Sequence, residues 1–538
     1  MSNEVDARRA DRPAACAQDA GLLLPAVLAR RAAENPEEPF LVEVAGRSIS
    51  YQQTWRAIRR RMAALVQIGI RPGEPVGSFL PQSADAQLLW LANALLGARH
   101  VPVNPQLRGE FLRHVLTDAQ VRRAFVRPEQ IGGLAEAGLP RDLELIEIGT
   151  GGSQWDRLEA AAELAGEPAL PTAGDVATVI YTSGTTGPAK GVLVTWGQIA
   201  NAVGLRPRQL LGQGDAYFTP WPPFHVMGLT PMAIMADVGG RVVLRDGPSI
   251  SQFWSDVDLH GCTCATIGPI ARLLMDQPVR SDDSQHALRS VVMGPAVPDV
   301  DEFRARFQLE VMAVYGSSEI AYPLVSRHMD QSNRHLVGML RPGYRARIVD
   351  EQLREVPDGS AGELLVQPPD RCVASPGYLG RPELTASAWV DGYFRTGDEF
   401  IRHPDGAFEF RDRRADTIRR FGENISSTLL ESEIIKLEGV LECAVVGVPD
   451  EISGQAIHLA VVPARGAELD PDALISKLQL MLPSFMLPAY ISLWEWLPKT
   501  ANGKIRKEQI RAGGVPPDAW SRRQGVSRRR AARPPSPR

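Results

Sequence analysis

Short apolar runs alternate with segments of helical period through the first 350 residues, and this alternation limits what the chain can fold into more than any other feature. Residues 22–33 and 51–65 space their apolar side chains as amphipathic helices do, while 75–80 and 123–126 are apolar runs of strand length. Further strands are expected at 177–181, 241–244, 263–267, 290–293 and 310–314. Parallel strands need a crossover, usually a helix, so the reading is an α/β unit whose mostly parallel sheet is covered on both faces. After Asp350 the texture changes to short β segments broken by turn residues, as in Pro357-Asp-Gly359, Gly362-Glu-Leu-Leu-Val366 and Asp391-Gly-Tyr393. Runs at 429–437, 444–448 and 456–462 then predict a compact α+β module of about a hundred residues. At 538 residues the chain exceeds what one hydrophobic core organises, so two or more domains are expected.

Charge narrows the function. A net charge of −4 offers no general attraction for nucleic acid or an anionic membrane, which leaves a small-molecule substrate as the expectation and no nucleic-acid partner. No apolar run reaches the roughly 18 to 20 residues of a spanning helix, and the first residues mix acids and arginines without an apolar stretch behind them. Neither membrane insertion nor a secretory leader is therefore expected, and the expected location is the cytoplasm. Cys16, Cys262, Cys264, Cys372 and Cys443 lack metal-site spacing and read as reduced thiols. From Gly513 onward, seven arginines, several prolines and few apolar residues predict a disordered basic tail.

The chemistry concentrates in Tyr181-Thr-Ser-Gly-Thr-Thr-Gly-Pro-Ala-Lys-Gly-Val192, which follows the apolar run 176–180. Gly184 and Gly187 let backbone approach a phosphate, the hydroxyls of Thr182, Ser183, Thr185 and Thr186 supply neutral donors, and Lys190 adds a positive charge. Gly191 follows the lysine where a Walker loop has Ser or Thr, so this is a different phosphate loop. By composition alone such a run is equally a flexible surface loop, and its place after a strand favours the phosphate reading.

Seven more motifs follow in order: Trp221-Pro-Pro-Phe-His-Val-Met-Gly228, Val314-Tyr-Gly-Ser-Ser-Glu319, Gly362-Glu363, Tyr393-Phe-Arg-Thr-Gly-Asp398, Asp412-Arg-Arg-Ala-Asp416, Gly422-Glu-Asn-Ile425 and Pro498-Lys-Thr-Ala-Asn-Gly-Lys504. Together they resemble the adenylate-forming superfamily of acyl-CoA synthetases, peptide-synthetase adenylation domains and luciferases over roughly residues 20 to 510, nearest in wording to crotonobetaine/carnitine-CoA ligases and related small-acid ligases. The resemblance implies a large N-terminal domain of stacked, mostly parallel sheets flanked by helices plus a β-subdomain, over 1–411. It further implies a hinge at 412–416 and a small mobile α+β domain over 417–511; the basic tail expected from composition takes up 512–538.

ATP, Mg²⁺ and coenzyme A are the implied cofactors, and a small acid is the implied substrate. Tyr315, preceding Gly316, would offer its ring to adenine with Gly294-Pro295-Ala296 opposite, although a core tyrosine is the alternative. Ser318 would bond the α-phosphate. Glu319 would carry Mg²⁺, because a carboxylate beside a polyphosphate needs a cation between them. Asp398 would accept the ribose hydroxyls, or be a plain turn aspartate. Arg413 would reach the ribose and phosphate. Lys504 would bridge the two anions that meet when a carboxylate attacks the α-phosphorus, and His225 would gate the acid pocket or be a satisfied core histidine.

Two half-reactions explain why a small domain follows a large one. Acyl-AMP forms with release of pyrophosphate; the C-terminal domain of family members then swings, withdraws the residue matching Lys504 and admits the thiol of CoA. The chain departs from the pattern at Ala415 in the hinge, at Leu429-Leu430-Glu431 where Glu-x-Glu is usual, and at Ala189 where a proline precedes the loop lysine. These changes spare the ATP site and bear on the acceptor. Besides CoA, an acyl carrier protein or an amine, as in diazotase-like enzymes that activate nitrite, is an alternative acceptor. A silent binding protein is a third reading, opposed by the presence of Lys190, Glu319, Asp398, Arg413 and Lys504.

Overall fold

Four parallel strands, in the order Arg99–Pro102, Pro75–Ser78, Arg123–Val126 and Glu144–Glu147, form one small sheet of the N-terminal region. The computed structural model describes residues 20–136, 138–149, 151–164, 166–182, 188–205, 211–268, 270–294, 300–326, 336–413, 417–464, 466–498 and 505–522. A second, 14-stranded sheet begins as a parallel array that includes Arg241–Leu244, Ala216–Thr219, Cys264–Thr266, Ser290–Met293 and Glu310–Ser317. Between these sheets lies the largest core cluster, built on the helices Leu24–Glu34, Tyr51–Gln67, Ala84–Leu96 and Thr230–Val238. A capping box between Ser50 and Gln53 starts the helix at Tyr51, and Gly97, in the left-handed conformation, ends the helix at Leu96.

The β-rich stretch expected as a subdomain is continuous with the large sheet. Only a tight turn separates Glu310–Ser317 from Ala321–Ser326, so the chain returns antiparallel, and every later strand on that path pairs antiparallel as well. Its last strand there is Ala407–Arg413; the next strand, Thr417–Arg420, belongs to a separate six-stranded sheet with Val440–Asp450 and Gly454–Pro463.

Two expectations need correction. Cys372 is disulfide-bonded, while Cys262, Cys264 and Cys443 are free and buried. Sequence spacing carries no information on cysteines brought together by the fold. The tail does not begin at 512 or 513: Trp520–Ser521 pairs with Tyr490 and Ile491, and the Trp520 indole donates to Asp472 at 3.2 Å. One aromatic residue able to cover the edge of a sheet outweighs the polar composition around it. Residues 523–538 lie outside the described residues. Among the described residues no helix is long and apolar enough to cross a membrane.

Candidate active site

The phosphate-loop residues join the strands of an antiparallel hairpin, Val176–Thr182 and Lys190–Thr195, in which Thr182 faces Lys190. Ser183, Gly184, Thr185, Thr186 and Gly187 lie outside the described residues. At the stem, the Tyr181 hydroxyl donates to Asp118 at 2.7 Å, and Asp118 also pairs with Arg381 at 2.6 Å. Thr195 caps the helix Trp196–Asn201, and Gln198 on that helix donates to the Ser318 carbonyl at 2.8 Å, which ties the hairpin to the segment 314–319. Gly316 is required there, since a Cβ would lie 2.1 Å from the Ala321 oxygen. The Glu319 carboxylate accepts a bond from the Tyr378 hydroxyl at 3.0 Å, and the Lys190 ammonium lies 5.3 Å from the centroid of the same ring. Burial lowers the Lys190 pKa, and the charge of Glu319 opposes that shift.

A second group gathers where the sheet turns antiparallel. Tyr315 is buried, donates its hydroxyl to Asp398 at 2.7 Å and sets its ring edgewise on Phe400. Asp398, also buried, faces Arg413 across neighbouring strands. Gly294 lies at the end of Ser290–Met293, and Arg419 of the smaller sheet reaches its carbonyl at 3.5 Å. Pro295, Ala296, Ala415 and Lys504 lie outside the described residues.

His225 follows Trp221-Pro-Pro-Phe and sits at the junction of the two units. Its Nε2 is 2.9 Å from the Glu423 carboxylate. Burial disfavours the imidazolium, but the charge and hydrogen bond of Glu423 outweigh that and raise the His225 pKa above its ordinary value. The contact borders a cavity of about 130 Å³ whose walls include Tyr181, Ala189, Phe224, Glu423, Leu429 and Phe485. The smaller sheet meets the N-terminal unit through one face, where Val445, Leu459 and Val461 share a cluster with Phe111. Its other face carries Ala444, Val446 and Val448 with Leu497 and Ile505, the neighbours of the segment that holds Lys504. Sequence alone gives no role to Glu423, Tyr378, Asp118 or Arg419. Glu423 stands in a quoted motif, but nothing in the sequence pairs it with a histidine 198 residues away.

Residues 28–379 match the family model described as AMP-binding enzyme, and 429–504 match the AMP-binding enzyme C-terminal domain. The chain belongs to the AMP-binding enzyme family. It is an ATP-dependent, adenylate-forming ligase of the acyl-CoA synthetase kind. This AMP-binding enzyme is 31% identical over 498 residues to a sulfoacetate–CoA ligase of Cupriavidus necator, covering 90% of this chain and 97% of the relative. It is 30% identical over 484 residues to a crotonobetaine/carnitine–CoA ligase of Salmonella enteritidis, covering 86% and 93%. A solved amide bond synthetase, McbA from Marinactinospora thermotolerans, superimposes with a TM-score of 0.79 at 26% identity, covering 91% of this chain and all of that one.

Among the described residues of this AMP-binding enzyme, no group of three or more His, Cys, Asp or Glu could hold a metal. Magnesium is commonly bound by one or two carboxylates together with phosphate oxygens, so Glu319 beside the phosphate-loop stem fits a cation that arrives with ATP.

Proposed function

We propose that this enzyme activates a small carboxylic acid as its AMP anhydride, releases pyrophosphate, and passes the acyl group to coenzyme A. The observation that carries this reading is the meeting of Lys190 and Glu319 on Tyr378 at the stem of the phosphate loop. A fixed ammonium there offsets polyphosphate charge, and Glu319 would hold the magnesium that supplies the remaining positive charge. Asp398 would take the ribose hydroxyls, with Arg413 on the neighbouring strand beside it. Tyr315 and the segment 294–296 would enclose adenine, and Ser318 would bond the α-phosphate. Lys504 would bridge the attacking carboxylate and the α-phosphate, which costs little reorganisation when the side chain arrives preset. The proposed units are 1–411 and 417–511, the second extended by the strand Trp520–Ser521, with rotation at 412–416.

In the arrangement described, the neighbours of Lys504 pack on the sheet face turned away from Phe111. That supports a state after adenylation, with the acceptor entering beside His225. The CoA ligases among the relatives favour the thiol. An amine is the second reading. The cavity walls include Glu110, Glu423 and Glu433 and no lysine or arginine among the described residues, a poor match for the phosphates of CoA. The amide bond synthetase at 26% identity points the same way.

The test is a pyrophosphate-release screen over small acids with no acceptor, with CoA and with a panel of primary amines, followed by mass spectrometry of the products. Acid-dependent pyrophosphate with a thioester supports the first reading, and an amide the second. No release with any acid would overturn adenylation itself.

A further inference from the structure

Lys190 and Glu319 carry opposite charges and feel one another, since Glu319 counters the fall in the Lys190 pKa. Yet both touch the same tyrosine. The Tyr378 hydroxyl donates to Glu319 at 3.0 Å while its ring lies under the lysine at 5.3 Å. An ammonium and a carboxylate that meet on one side chain would, without it, be able to close into a direct ion pair that an incoming polyphosphate would have to break.

The backbone around Tyr378 is tied at both ends to the elements it would position. Ser375 N–H donates to the Glu319 carbonyl at 2.7 Å, and Leu379 N–H donates to the Gly191 carbonyl, beside Lys190, also at 2.7 Å. Leu193 N–H donates to the Gly377 carbonyl at 3.1 Å, and Tyr378 N–H donates to the Thr385 hydroxyl at 3.0 Å. Gly377 has φ +139°, and a Cβ there would lie 2.5 Å from Thr385, so the path of this strap admits little variation.

We propose that Tyr378 is a positioning residue for adenylate formation, which holds the Glu319 carboxylate and the Lys190 ammonium apart so that magnesium-bound triphosphate enters a site already set. The inference rests on the roles proposed above for Lys190 and Glu319. It assigns a function to a residue outside the phosphate loop and outside the 314–319 segment.

Nucleotide binding tests it by calorimetry, with ATP in magnesium, ATP in EDTA, and AMP. Tyr378→Phe keeps the ring and loses the hydroxyl; its affinity for magnesium-ATP should fall about tenfold, as for the loss of an outer-shell partner, with AMP affinity and the unfolding midpoint unchanged. Tyr378→Leu, which also removes the surface under Lys190, should weaken ATP in EDTA as well. Equal loss for ATP and AMP, or a lowered midpoint in both variants, would reduce Tyr378 to a structural role and overturn the proposal. Unchanged magnesium-ATP affinity in Tyr378→Phe would do the same. Glu319→Gln separates the levels: if it loses the magnesium dependence while Tyr378→Phe keeps it, only the positioning role fails. If Glu319→Gln keeps it too, the reading of Glu319 fails and takes the proposal with it.

Discussion

Lys504 and Asp398 are expected to act at different stages, and that difference is measurable. Lys504→Ala should lower the rate of pyrophosphate release by about 100- to 1000-fold with ATP affinity and folding intact, because its contribution belongs to the transition state. The same variant should still transfer the acyl group from supplied acyl-AMP. Wild-type turnover would remove Lys504 from the chemistry, and loss of both steps would indicate general damage. Asp398→Ala instead removes a buried acceptor and leaves the Tyr315 hydroxyl without it. It should destabilise the N-terminal unit by about 1–3 kcal/mol in denaturant unfolding and weaken AMP binding in calorimetry. AMP affinity equal to wild type would refute the ribose role.

At the scale of elements, the junction through His225 and Glu423 should depend on pH. Glu423 raises the His225 pKa in the folded chain, so the contact contributes stability that is complete below the unfolded pKa and lost as pH rises through the raised folded value. Limited proteolysis of the 412–416 segment should accelerate as pH climbs above the ordinary histidine range, and Glu423→Gln should flatten that dependence. A cleavage rate independent of pH in the wild-type chain would exclude the contact as a latch. The elements themselves were largely legible beforehand: Arg123–Val126, Arg241–Leu244 and Ser290–Met293 fall on the predicted residues because short apolar runs between turn residues have few other uses. Trp520–Ser521 was not, since a two-residue strand has no periodicity to read.

For the whole molecule, rotation between the units is the step most open to challenge. Proline fixes φ, so Ala415→Pro should leave pyrophosphate release measurable and depress transfer to CoA. The ratio of the two rates against wild type is the measurement. An unchanged ratio with a good acid would argue against CoA and for an acceptor that needs no rotation. What the sequence hid at this scale is contact between distant segments. Periodicity reports which face of an element is apolar, whereas Tyr378 meeting Glu319 across 59 positions and Glu423 meeting His225 depend on how sheets are joined. The continuity of the parallel and antiparallel halves was hidden for the same reason, and so was the disulfide at Cys372.

The two-faced sheet of the C-terminal unit has a consequence for how this protein tolerates change. Along Val440–Asp450, neighbouring residues serve different faces: Val445 packs with Phe111, while Ala444 and Val446 pack with Leu497 and Ile505. A mutational scan scored separately for the two half-reactions should therefore beat with a period of two along this strand. From Cys443 to Val448, even-numbered positions would weigh on adenylation through the support of the Lys504 segment, and odd-numbered ones on acyl transfer through the junction, whereas Val440, beyond the bulge, sides with the junction. One ribbon of eleven residues would thus carry two interleaved selection histories.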